Sequence, residues 1–183
     1  MPSIGARAGD GPVTFPQLLA RRRVALGGIC AVATFLLARP TRPSWRLGLA
    51  IAIVGEAVRV WAAGHLEKSR EVTRSGPYRW TRHPLYAGSA TMALGIVIAS
   101  RSVIVGVLAA IYMTATLTAA IRAEEAYLDQ AFGETYARYR SASAEPMNRR
   151  FSIARAIRNR EYRAAAGLAA GFALLALKVL GYL

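Results

Sequence analysis

The chain has 183 residues, 54% of them hydrophobic, a mean hydropathy of +0.28 and a formal net charge of +14. That length allows one domain, and apolar content this high, gathered into long runs, indicates a polytopic membrane protein. The basic residues flank the apolar runs, so the charge reads as membrane topology rather than nucleic-acid binding, and one cysteine with two histidines excludes an internal disulfide and the usual structural zinc site.

Residues 1–23 are polar, contain Gly and Pro, and end in Arg21, Arg22 and Arg23; they read as a cytosolic arm. Val24–Ala38 follows as a first apolar run carrying Cys30, a small packed hydrophobe. A basic stretch before an apolar run also fits a signal peptide, with Ala31-Val32-Ala33 as a weak cleavage site. The further spans downstream favour an uncleaved first span. Its length covers only ~22 Å at 1.5 Å per residue, short of a hydrocarbon core about 30 Å thick. Arg39-Pro40-Thr41-Arg42-Pro43 is a turn. Leu47–Leu66 is a second span, with Glu56 and Arg59 placed as i,i+3 partners that lower each other's burial cost. His65 lies at its cytosolic end, where it could line a site, and Trp61 reads as an anchor.

Residues 67–84 are polar and turn at Gly76-Pro77. Leu85–Ala99 is a third apolar run, joined by Ser100-Arg101-Ser102 to a fourth, Val103–Ile121, so the two form a helical hairpin. Residues 122–163 are charged and helical in character, and Ala164–Leu183 is a fifth run interrupted by Lys178. The expected fold is all-α: a membrane bundle of about five transmembrane helices, 24–183 forming one domain. A cytosolic N-terminus puts four basic residues in the arm, five in 67–84 and nine in 122–163, against Arg39, Arg42, Arg46 and Arg101 outside. Positive-inside bias therefore sets both polar segments on the cytosolic face.

Two clusters carry chemistry. In Ser75–Gly88, Pro84 suits a first helical turn and His83 its N-cap. The helix start, with Arg79 and Arg82, can hold a carboxylate or phosphate. The same segment also reads as an interfacial belt in which Tyr78, Trp80 and Tyr86 sit among headgroups and the arginines bind lipid phosphate. In Arg122–Arg140, Glu124, Leu128 and Phe132 share a helical face, Arg122 and Glu125 are i,i+3 neighbours, Gly133 is a break, and Tyr136 and Tyr139 follow three apart. Carboxylates there can hold an ammonium group or ribose hydroxyls; a solvated amphipathic segment is the plainer alternative. Together the clusters match a cofactor carrying a carboxylate, an ammonium and a ribose.

The pattern GPYRWTRHPLYAG, then an apolar hairpin, then EEAYLDQAFGETYARYR resembles the isoprenylcysteine carboxyl methyltransferase family, related to membrane phospholipid methyltransferases. The resemblance covers roughly residues 55–146. It implies a transmembrane bundle holding S-adenosylmethionine near the cytosolic surface. Cofactor contacts would come from Tyr78, Arg82, His83, Pro84, Leu85, Tyr86 and Gly88, and from Glu124 and Glu125. Catalytic roles fall to Arg122, Glu125 and Arg140, with Arg122 the best match for an arginine beside the reacting centre. The eukaryotic enzymes carry a Val-Pro-rich tail where this chain has Ser141-Ala142-Ser143-Ala144-Glu145-Pro146. The implied reaction is methyl transfer to a lipophilic acceptor, a small molecule or lipidated substrate with a carboxylate, or a phospholipid amine. An NADPH-dependent reductase of the sterol-reductase type and a non-enzymatic protein that binds membrane lipids are the alternatives.

Overall fold

The structure, a computed structural model, describes the backbone of residues 15–182 and side chains from residue 25 to 182. Residues 1–14 of the expected arm lie outside the described residues. The described chain is all-helical: α1 (Phe15–Leu37), α2 (Arg42–Ala63), a 3-10 turn (Gly76–Arg79), α3 (Pro84–Ser100), α4 (Val103–Arg140), α5 (Ile153–Arg158) and α6 (Tyr162–Val179). Helix α1 begins at Phe15, so the basic triplet expected in the arm lies within the helix. At 1.5 Å per residue the whole helix is ~34 Å long, longer than its apolar run alone.

Local chemistry starts and stops these helices. Thr41 caps α2, accepting from the Ser44 amide while the Ser44 side chain accepts from the Thr41 amide, with a proline in the first turn. Ser102 caps α4, accepting from the Val105 amide at 3.4 Å. Between α3 and α4 the chain turns through Arg101 in the left-handed region, which makes the hairpin tight.

Helices α2 and α3 pack antiparallel through small residues. A side-chain carbon added to Gly55 would sit 2.7 Å from the Gly88 carbonyl, and one added to Gly95 would sit 2.7 Å from the Ala52 amide. Such backbone approach gains dispersion contacts where lipid offers no hydrophobic drive. Helix α6 closes over this pair. Trp45 donates to the Phe172 carbonyl at 3.0 Å and meets its ring edge-on, and Leu168, Phe172 and Leu175 join Ala38, Ala52 and Ala99 in the core. Lys178, the charge inside the last apolar run, caps the end of α1 by donating to the carbonyls of Phe35 and Ala38 at 2.6 and 3.0 Å.

Helices α4 and α6 are long and apolar enough to cross a membrane, and Ala25–Leu37 and Pro84–Ser100 are shorter apolar helices. Large apolar side chains, among them Ile29, Val32, Leu36, Ile53, Val54, Leu94, Val107 and Ile111, face outward. Such an apolar exterior suits lipid, not water. At one end of the bundle the polar segments lock together. Arg149 grips Glu71 with two bonds of 2.5 and 2.8 Å, Arg155 reaches Glu67 at 2.7 Å and the Gly64 carbonyl at 2.6 Å, and Asn159 caps the end of α2 through the carbonyls of Ala63 and Leu66. The two polar segments thus share one face, as the charge count requires.

Candidate active site

Gly76 opens the first motif at φ +56, and a side chain there would strike the His65 ring at 2.5 Å. Only glycine meets both conditions. His65, which could line a site or be structural, is buried with its Nδ1 3.1 Å from Ser75 Oγ. The turn buries Pro77 and Tyr78 and delivers Arg82 and His83 to the start of α3.

Gly133 shapes the second motif. Its φ and ψ of 44 and −116 break α4, a conformation open to glycine and strained for other residues. Beyond the break, Tyr139 folds back to donate to the Tyr78 carbonyl at 2.7 Å, and Tyr136 is fully buried. The Gly-Pro-Tyr turn and the twin-tyrosine segment are therefore in contact. Burial pushes the Tyr139 phenol up to about 12, and burial raises Tyr78 also.

The paired glutamates diverge. Glu125 accepts from His83 Nε2 at 3.0 Å and forms an ion pair with Arg82 at 3.2 Å. The His83 hydrogen bond is the main cause holding its carboxyl below the usual carboxylate range, opposed by desolvation and helped by Arg82. The buried Tyr136 hydroxyl lies near enough to lower Glu125 further, although it makes no hydrogen bond of good geometry. Glu124 instead lines a cavity of about 730 Å³ with Tyr78, Arg82, Leu85, Tyr86, Tyr127, Leu128 and Tyr139. Glu161 and Arg59 also border it.

The donor set fits the cofactor expected from sequence. Glu124 suits an ammonium or ribose hydroxyls, Arg82 suits a carboxylate, and the tyrosines offer aromatic faces to a purine. The helix start is a narrower anion site than expected: Pro84 has no N–H, and the amides of Tyr86 and Ala87 are used by the His83 carbonyl at 3.1 Å each. Leu85 keeps its N–H among the cavity-lining residues. His83 stands outside that lining, beside the Tyr86 ring at 5.8 Å, with a buried Nδ1 that has no partner. Pro84 is buried, and Gly88 packs on Gly55 and Arg59. Arg122 is exposed on α4 and does not border the cavity. Arg140 pairs with Asp129 at 3.4 Å.

The expected Glu56–Arg59 pair is present, and a second carboxylate joins it. Arg59 is held mainly by Glu161, 2.6 Å away at the start of α6, with Glu56 at 3.9 Å; it also reaches the Leu85 carbonyl and Ser89. The intrahelical geometry of i,i+3 is the looser of the two. Nothing in the sequence marks Glu161 as that partner, because it lies in a charge-rich run remote along the chain. Tyr127, also missed, occupies a variable position of the motif; the turn-by-turn spacing from Glu124 was its signal. Among the described residues no group of three His, Cys, Asp or Glu is placed to hold a metal ion.

Residues 46–135 match the family model described as phospholipid methyltransferase. Over 90 residues, 48% of this chain, the sequence is 35% identical to the cobalt-zinc-cadmium resistance protein CzcN of Cupriavidus metallidurans, covering 40% of that relative. It is 33% identical over 90 residues to the nickel-cobalt-cadmium resistance protein NccN of Alcaligenes xylosoxydans xylosoxydans, covering 41% of it. The matched stretch is thus about two fifths of the length of these curated relatives. No solved structure matches. The family match runs from α2 to the Gly133 break, the stretch that builds most of the cavity, and it supports the broader membrane methyltransferase family.

Proposed function

We propose that the chain is an integral, multi-pass membrane methyltransferase. It moves a methyl group from S-adenosylmethionine to a lipophilic acceptor at the cytosolic face, with its N-terminus on that side. The observation that carries this reading is the cavity itself, which gathers Tyr78, Arg82 and Tyr86 of one motif and Glu124 and Tyr139 of the other around a nucleoside-sized space. The phospholipid methyltransferase match lends it support.

When bound, S-adenosylmethionine supplies a methyl carbon already activated by the sulfonium charge, so the protein's work is alignment and exclusion of water. Arg82 would hold the cofactor carboxylate, and Glu124 would hold the ammonium or ribose. Glu125 positions Arg82 and His83 rather than touching the reacting atoms. Tyr78 and Tyr139 line the cavity and give it aromatic walls. An ionised carboxylate acceptor needs no base, whereas an amine must lose a proton, for which Glu124 is one of the carboxylates lining the cavity. Arg122 and Arg140 lie outside the cavity lining, so an acidic acceptor would meet them on its approach rather than beside the cofactor.

Two acceptor classes follow, an isoprenoid-type carboxylate from the sequence resemblance and a phospholipid amine from the family match. Membranes containing the protein and methyl-labelled cofactor separate them. Label in a lipid extract that mild base releases as methanol marks an ester, and base-stable label marks an N-methyl group. A protein that labels no extractable lipid and consumes NADPH instead overturns the proposal.

A further inference from the structure

A second cavity, of about 540 Å³, lies beside the first and shares Tyr78, Arg82 and Tyr139 with it. Four arginines border it, Arg74, Arg79, Arg82 and Arg140, and no carboxylate does. Two have counterions elsewhere: Arg82 meets Glu125 at 3.2 Å and Arg140 meets Asp129 at 3.4 Å. The guanidinium groups of Arg74 and Arg79 make no hydrogen bond or ion pair among the described residues, and the Arg74 Nε is buried without a partner.

A buried, unsatisfied guanidinium nitrogen is costly to leave without an acceptor. Two uncompensated guanidinium charges beside one opening match the charge of a phosphate monoester, about −1.5 to −2 at neutral pH. Guanidinium forks also fit phosphate oxygens in pairs. Trp80, which borders the same cavity, is strongly exposed and lies 5.5 Å from Trp61, a pairing that suits the headgroup layer.

We propose that this arginine-lined cavity binds a phosphate monoester, delivered either by a membrane lipid or as a free anion. Its basis is separate from the methyl-transfer reading and stands whichever cofactor the neighbouring cavity takes.

The test is calorimetric titration of the purified full chain in an uncharged detergent with three probes. These are dioctanoyl phosphatidic acid, inorganic phosphate and, as control, dioctanoyl phosphatidylcholine. Binding of either of the first two, at least about tenfold tighter than the control, is expected. Binding should weaken below pH about 6, where the monoester gains a proton. Phosphatidic acid binding the tighter identifies a lipid source, and inorganic phosphate binding as well or better identifies a free anion. Arg79 is exposed, so Arg79→Gln tests the site without risk to the fold and is expected to lose about tenfold, with Arg79→Lys retaining most of the affinity. The Arg74→Gln, Arg79→Gln double variant is expected to lose more. Three results would overturn the proposal: no phosphate probe binding above the control, affinity unchanged in the double variant, or binding abolished by saturating S-adenosylhomocysteine. The last would assign the arginines to the cofactor cavity.

Discussion

Glu124 and Glu125 are neighbours in sequence and take different tasks: one borders the cavity and the other is clamped between His83 and Arg82. Their amide variants should therefore fail differently. Glu124→Gln is expected to bind S-adenosylhomocysteine about tenfold more weakly, the loss of one hydrogen bond to a charged group, with little change in the thermal unfolding midpoint. Glu125→Gln is expected to lower that midpoint as well, because His83 and Arg82 lose their shared acceptor. The pH dependence has a definite sign. Glu125 and Glu67 both have carboxyls held below their unfolded values, Glu125 chiefly by His83 and Glu67 chiefly by Arg155. Their contribution to stability is present above the unfolded value of about 4.3 and is lost as pH falls through the lower folded values. Unfolding midpoints recorded between pH 7 and 3 should fall at the acid end, and the fall should be shallower in Glu125→Gln.

Among the elements, α2 and α3 depend on close backbone approach, and Gly95 sits where added atoms meet the Gly48 carbonyl at 2.5 Å. Gly95→Leu is expected to cost about 1–3 kcal/mol or more through overpacking, read as a lower unfolding midpoint, while a bulky residue at Gly171, which has open space around it, should change little. Gly133→Ala tests a different device. Space is free there, so the cost is conformational, about 1–3 kcal/mol, and Tyr139 should lose its hold on Tyr78; weaker S-adenosylhomocysteine binding by Gly133→Ala would show it. These helices were legible in sequence because their apolar runs are bounded by Pro, Ser and Arg. The Gly133 break and the Pro84 helix start were legible for the same reason, since both residues act through their own backbone. The start of α1 was not, because three consecutive arginines look like an arm until a helix is seen to carry them. Nor was the partner of Arg59, because a contact between α2 and α6 leaves no periodic trace.

For the whole molecule, the polar segments 67–84 and 122–163 share one face, and the proposed orientation, which rests on the charge bias, sets that face toward the cytosol. In a Cys30→Ala background, cysteines introduced at Ser69 and Glu145, both exposed, are expected to resist an impermeant maleimide in intact cells and to react once the membrane is opened. A cysteine at Arg101, in the α3–α4 turn, is expected to react from outside. Ser69 and Arg101 reacting from the same side would contradict the arrangement. What sequence conveyed at this scale was that two motifs meet; it did not convey which side chains face the space between them. Spacing put Glu124 and Glu125 on one helix, but the His83 bond that turns Glu125 aside depends on how α3 and α4 pack.

On the proposed reading, the cavity between the start of α3 and Glu124, lined by Arg82, Leu85 and Tyr86 on one side and Glu124 and Tyr139 on the other, takes S-adenosylmethionine. The most direct test of that reading is calorimetric titration of the purified chain with S-adenosylhomocysteine and, separately, with NADPH. The account predicts one S-adenosylhomocysteine bound per chain, weakened about tenfold by Glu124→Gln, and no saturable binding of NADPH. Tight NADPH binding with none of S-adenosylhomocysteine, or S-adenosylhomocysteine binding indifferent to Glu124→Gln, would contradict it.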